Sequence, residues 1–461
     1  SAAIYSKEDL IINGNGTLNV NAGYRNGIKS TDDCIIVSGT LNITSTEDGI
    51  IGKDLCGVVA GDININAGSD GIKSAYDTDT TKGNVIIEGG NITIKASNDG
   101  IQAENILVIN DGTINIKTNN GAADTTQTHT DNMYMGRGGF GFNNNKTTTT
   151  TDDTVESRKG IKAGNMLIIN DGDITIDSDD DSVHCNSEIY IYGGTINAAT
   201  GDDGVHADDL LTVNGGTINI TQCYEGIEAD DIVINDGDIS VVSSDDGINS
   251  SDGSITINGG NLLINASGDG LDANGSIIIN GGYIVVLGPT SDGDTAIDYD
   301  DSCTINGGTV MAFGSSGMLE IPKGASNGAC IVTAFTSVSG GSRYTLSDSN
   351  GNEILSYTPS KAYAAAIVYS DKITTGNTYN ITAGSTTLSI EVTSDVTSNV
   401  SSGFGGAGGM NKPGNGGSGM PNNGSSDNGM NGNYNGSMPD MSGNGAPDMN
   451  GNSSGDMPSM G

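Results

Sequence analysis

Acidic residues recur in this chain at one point of a repeating phrase, immediately before a small residue and then an aliphatic one. They are Asp48, Asp70, Asp99, Asp181, Asp203, Glu225, Asp246 and Asp269, with Asp294 expected to extend the series. Some repeats thicken the acid: Asp179-Asp180-Asp181, Asp202-Asp203, Asp245-Asp246. If the repeats stack, these carboxylates lie about 5 Å apart and repel one another. A hard cation resolves that repulsion, because Ca²⁺ collects roughly six to eight oxygens from carboxylates, carbonyls and water. Calcium is therefore expected on the edge carrying Asp180, Asp181, Asp202, Asp203, Glu225, Asp245, Asp246 and Asp269. The competing reading is a series of solvated Asp-Gly turns, since aspartate is also a good turn residue.

Three or four residues after the acid the same edge carries His184, His206, Glu228, Asn249, Asp272 and Asp298. Of these, His184, His206, Glu228 and Asp272 are expected to contribute to ligand binding. His184 and His206 are 22 residues apart. Beside carboxylates they could ligate a transition metal, or simply line a polar groove. Lys162 stands one repeat before His184, with Lys29 and Lys73 at equivalent places further up, and Arg25 and Arg158 sit where other repeats have acids. No catalytic residue is assigned. Lys162 is the candidate base that position offers, although neighbouring carboxylates would raise its pKa, and the alternative role is a counter-charge.

The elements that place these residues follow from the spacing. The aliphatic residue of the phrase falls at Ile28, Ile50, Ile72, Ile101, Ile161, Val183, Val205, Ile227, Ile248, Leu271 and Ile297, and seven of those ten steps are 21, 22 or 23. Between them apolar residues alternate at period two, which is a strand pattern, and turns such as Asn-Gly-Gly and Asn-Asp-Gly punctuate them. A fixed period of this size filled with strands predicts an all-β fold, a right-handed parallel β-helix of about 22 residues per coil. Asn110, Asn170, Asn214, Asn235, Asn258, Asn280 and Asn306 open turns at coil spacing and are expected to form a ladder, each bonding the next coil's turn. The step of 60 from Ile101 to Ile161 locates an insertion at 119–156.

The β-helix is expected over 1–324 and a small β module capping it over 325–393, with short strands near 330–338, 344–348, 353–357, 364–369, 379–383 and 387–392. A low-complexity tail is expected over 394–461. Eight of the 13 methionines and five of the eight prolines fall in 402–461. That composition reads as disordered or partner-bound. A formal charge of −39, with 57 acids against 18 bases, excludes nucleic acid as a partner, since phosphate binding needs basic patches. No apolar stretch reaches transmembrane length, and Ser1-Ala2-Ala3 resembles a mature start after signal-peptide removal, so secretion is expected. Six cysteines lack metal-site spacing. Cys34 and Cys56 occupy equivalent places on adjacent coils, and Cys303 and Cys330 precede similar strands. Both pairs are disulfide candidates if oxidised, with free buried thiols the alternative.

The Asp-Gly-Ile coils, the Ile-x-Ile-Asn-Gly-Gly turns, Leu346–Asn352 and the Gly/Met/Asn-rich tail resemble the extracellular "carbohydrate-binding domain-containing" β-helix proteins of Gram-positive anaerobes, which are similar in fold to pectate lyases. The resemblance implies secretion, calcium, and binding of acidic or plant-type polysaccharide. Pectate lyases set an Arg or Lys base beside their calcium acids; Lys162 and Arg158 hold that place here. Three readings follow: a calcium-bridged polysaccharide binder, a calcium-dependent lyase with Lys162 as base, and a structural subunit that self-associates through solenoid ends and tail into a surface filament.

Overall fold

Period-two alternation does what it predicts. The strand Asp62–Ala67 buries Ile63, Ile65 and Ala67 and exposes Asp62, Asn64 and Asn66. A computed structural model describes residues 1–76, 78–122 and 157–400. Residues 123–156 of the expected insertion and 401–461 of the expected tail lie outside that description. The described residues are all-β, with no helix.

One coil holds three strands, as Ile101–Ala103, Ile106–Ile109 and Thr113–Thr118 illustrate. Each pairs in parallel with its counterparts above and below, Ile101 with Ile72 and Ile161, Leu107 with Val85 and Leu167, Ile114 with Ile92 and Ile174. The aliphatic series from Ile28 to Ile297 is one continuous register row across the 29-, 60- and 26-residue steps. The extra residues are therefore looped out and the register is kept. Ile101, Leu107, Ile109, Ile114 and Ile116 of this coil are all at most 4% exposed. Each such side chain contributes roughly 1.5–3 kcal/mol of burial, so every coil adds its own stripe of core.

Close approach explains the glycine of the repeat. A Cβ on Gly71 would lie 2.5 Å from the carbonyl oxygen of Gly100 and 2.4 Å from Ile94 Cγ2. The Gly71 amide donates to Asp99 O at 3.0 Å, and this backbone bond repeats coil after coil.

The asparagine ladder exists, with one difference. The side chains bond one another rather than the next turn's backbone: Asn235 to Asn214, Asn258 to Asn235, Asn280 to Asn258 and Asn306 to Asn280, at 2.8–3.0 Å. An amide both donates and accepts, so equivalent asparagines satisfy each other along the axis.

At the C-terminal side the parallel stacking stops. Thr309–Gly314 pairs with Tyr363–Ser370 antiparallel, and that strand pairs antiparallel with Ala329–Val338. Glu353–Tyr357, Tyr344–Asp348, Thr378–Ala383 and Thr386–Glu391 form a separate antiparallel sheet. It packs a second core around Phe313, Tyr344, Tyr363 and Tyr379. Once the chain no longer advances one coil per repeat, spacing ceases to mean stacking. Cys34 and Cys56 are register partners. Cys303 instead pairs with Ile277, while Cys330 lies in the other sheet beside Tyr369 and Val396. All six cysteines are buried free thiols in this structure.

Candidate metal and ligand edge

Two rails run along one edge of the solenoid. The inner rail, in register order, is Asn26, Asp48, Asp70, Asp99, Lys159, Asp181, Asp203, Glu225, Asp246, Asp269 and Thr295. The outer rail, three residues on, is Lys29, Ile51, Lys73, Gln102, Lys162, His184, His206, Glu228, Asn249, Asp272 and Asp298. Sequence spacing brought eight of these eleven inner positions together correctly, missing Asn26, Lys159 and Thr295. Thr295, not Asp294, ends the row, because the turn within the 26-residue step absorbs one residue more than the spacing suggests. Lys159 was missed. Its signal was visible as Lys-Gly where other repeats read Asp-Gly, at the flank of the insertion.

The inner carboxylates have a backbone role that favours them without any ion. One oxygen accepts the amide of the next rail residue: Asp48 Oδ1 from Asp70 at 3.2 Å, Asp70 Oδ1 from Asp99 at 3.1 Å, Asp99 Oδ1 from Lys159 at 2.8 Å, Asp181 Oδ1 from Asp203 at 3.1 Å, and Asp203 Oδ1 from Glu225 at 3.3 Å. Asp246 Oδ1 does the same for Asp269 at 2.5 Å, and Asp269 Oδ1 for Thr295. Each such bond satisfies an amide that would otherwise be left over at the turn. In Asp70, Asp181 and Asp203 the second oxygen meets the outer rail.

What it meets there changes along the axis. Asp70 Oδ2 meets Lys73 Nζ at 2.7 Å, Asp181 Oδ2 meets His184 Nδ1 at 2.8 Å, and Asp203 Oδ2 meets His206 Nδ1 at 2.9 Å. Lys159 bridges Asp180 at 2.9 Å and Asp181 at 2.5 Å, and Arg158 holds Asp179 at 2.7 Å. Lys162 is turned to Ser157, its Nζ 3.2 Å from the hydroxyl. From Glu225 onward the outer partner is Glu228, Asn249, Asp272 or Asp298. No lysine, arginine or histidine among the described residues forms an ion pair with Asp246, Asp269, Asp272 or Asp298.

The electrostatics follow this division only in part, because burial raises Asp70 to about 6 despite Lys73 and holds Asp203 well above the usual carboxylate range despite His206. Burial would raise the Asp181 carboxyl, but Lys159 and then His184 outweigh it and hold it well below the usual carboxylate range. Burial opposes the charge of His206, yet Asp203 and Glu228 carry it up to about 11. Further along, burial followed by the neighbouring acids pushes Glu225 up to about 8 and Asp246 to about 9. Burial likewise takes Asp269 to about 8 and Asp272 to about 7, the latter helped by Asp298.

Grouped donor atoms within 4.8 Å of one another occur at Asp180–Asp181–Asp202, at Asp181–His184–His206, at Asp203–His206–Glu228 and at Asp246–Asp269–Asp272. The expected calcium residues are thus distributed over more than one group. Those around Asp180 and Asp181 already have a cation in Lys159; those around Asp246 do not. Half-buried Tyr190 and exposed Tyr192 also lie on the solenoid, with near-parallel rings 6.5 Å apart. Tyr192 takes the place of an asparagine in the ladder between Asn170 and Asn214.

The family described as carbohydrate-binding domain-containing protein matches the chain over residues 1–204 and again over 202–406. The two matches meet at Asp202–Gly204, and strand pairing continues through that point, Val183 with Val205 and Ile196 with Ile218. No curated protein and no solved structure matches the chain.

Proposed function

Because the chain belongs to the family of carbohydrate-binding domain-containing proteins, we propose that it is an extracellular β-helix protein that binds acidic polysaccharide through calcium held on the edge of Glu225, Asp246, Asp269 and Asp272. The observation that carries this reading is the stack of half-buried carboxylates that no lysine, arginine or histidine among the described residues pairs with. Asp246, Asp269 and Asp272 offer oxygens within 4.8 Å of one another. Ca²⁺ neutralises such a group and keeps coordination positions free for a uronate carboxylate. A chain of formal charge −39 repels a polyanion unless cations bridge the two. Calcium is abundant outside cells, which is where this chemistry works best.

The test is affinity electrophoresis of the full chain in polygalacturonate gels, with calcium and with chelator. Retardation is expected in calcium, lost in chelator and strongly reduced in Asp246→Asn/Asp269→Asn. Retardation indifferent to chelator contradicts the bridging role. Formation of unsaturated product in the same mixtures, abolished by Lys162→Ala, would move the protein to the lyase reading.

A further inference from the structure

Two of the chain's three histidines, His184 and His206, stack on adjacent coils with ring centroids 4.9 Å apart. Their outer nitrogens face acceptors. His206 Nε2 lies 3.4 Å from Asp208 Oδ1, and His184 Nε2 lies 2.8 Å from Asn186 Oδ1. An acceptor at Nε2 holds one ring hydrogen there, and the hydrogen on Nδ1 is the one that a metal ion entering on the other side would displace. The Nδ1 side faces carboxylates, of which Asp181 is also held by Lys159 Nζ at 2.5 Å. His206 Nδ1 is 2.9 Å from Asp203 Oδ2 and 2.9 Å from Glu228 Oε2, and His184 Nδ1 is 2.8 Å from Asp181 Oδ2. A ring nitrogen carries at most one hydrogen, so it cannot serve both carboxylates of that pair well. One ring nitrogen set between two carboxylates is an arrangement that a cation can take over, with release of the Nδ1 proton.

We propose that Asp203, His206 and Glu228 form a site for a divalent transition cation of the zinc type, with His184 of the preceding coil as the further nitrogen ligand. The donor set is the reason for the metal class: imidazole nitrogen with carboxylate oxygen suits borderline cations, whereas calcium takes oxygen alone. Asp208 behind His206 and Asn186 behind His184 supply the outer hydrogen bonds that orient metal-binding imidazoles. Asp203 is also held from the far side, because its Oδ1 accepts the Glu225 amide at 3.3 Å. Lys159, the nearest basic side chain on the inner rail, is engaged one coil away by Asp180 and Asp181. The site is distinct from the Asp246–Asp269–Asp272 group and independent of the polysaccharide reading.

Zinc titration of tag-free, chelator-stripped full chain in excess calcium tests it, with Co²⁺ absorption in the visible as a ligand-sensitive second readout. One zinc per chain is expected, undisplaced by calcium and weakened at least about 10-fold in both His206→Gln and Glu228→Gln. His129→Gln, which changes the remaining histidine, should bind zinc as the parent does. If His206→Gln fails to fold, Glu228→Gln decides. Zinc binding equal in Glu228→Gln and parent, or abolished by calcium, or absent altogether, overturns the proposal.

Discussion

The coils from Asp70 to His206 and the coils from Glu225 to Asp298 share one backbone geometry, yet they solve the charge problem of that geometry in opposite ways. In the first set most of the carboxylates that cap the next coil meet a lysine or a histidine, Asp70 with Lys73, Asp181 with Lys159 and His184, Asp203 with His206, while Asp99 faces Gln102 and accepts from Ser157. In the second set the outer neighbour is itself an acid or an amide, and burial with mutual repulsion lifts Asp246 to about 9 and Asp269 to about 8. The fold therefore requires an acceptor on the inner rail and leaves the outer rail free. Where that freedom is spent on bases, the edge is internally neutralised. Where it is spent on acids, no described base balances the edge, and the proposed calcium would.

Removing the base from the first set should make it resemble the second. Lys159→Ala leaves Asp180 and Asp181 buried without their cation, and breaking a buried pair from one side costs about 3–5 kcal/mol. Urea unfolding in chelator should show that loss, and calcium should recover part of it. A loss that calcium leaves untouched would show that the two sets differ in more than the partner.

pH separates the sets next. Glu225, Asp246, Asp269 and Asp272 have folded pKa values of about 7–9, above the unfolded carboxylate range. Their stabilising contribution is fully present below about pH 4 and is lost as pH rises through those values. Asp181 of the first set is depressed, as is Glu228, which belongs to the second set but meets His206; their contribution is present above about pH 4 and lost as pH falls through their lowered values. In chelator the melting temperature should fall between pH 5 and pH 9, and calcium should flatten that fall. A chelated protein whose melting temperature rises over this interval would contradict the assignment.

The smallest effect is the most discriminating in sign. Asp246→Asn keeps an oxygen to accept the Asp269 amide while deleting a repelling charge. It should stabilise the chelated protein by about 1 kcal/mol and destabilise it in calcium. The same sign in both conditions would mean that no cation is held there.

Much of this was legible in the chain itself. Asp48, Asp203 and Asp269 could be placed on one edge because a solenoid converts a 22-residue step into a neighbour, and Ile101 to Ile161 kept register despite 60 residues between them. Asp294 was misplaced by one because the spacing of a looped-out turn does not say where its surplus sits. Lys159 escaped notice beside the insertion, where the phrase is broken on its N-terminal side. Cys303 and Cys330 were read as stacked because similar strands follow them, but they sit where the coil-by-coil advance gives way to antiparallel pairing. The capping bonds of the rail carboxylates have no sequence signal beyond the acid itself, since asparagine at Asn26 serves equally, its Oδ1 accepting the Asp48 amide at 3.3 Å.

The division of the edge is tested most directly by locating calcium in crystals of the full chain by anomalous scattering. The account predicts density between Asp246, Asp269 and Asp272 and none between Asp180 and Asp181, where Lys159 already stands. Calcium bound at Asp180–Asp181, with the Asp246 group empty, would contradict it.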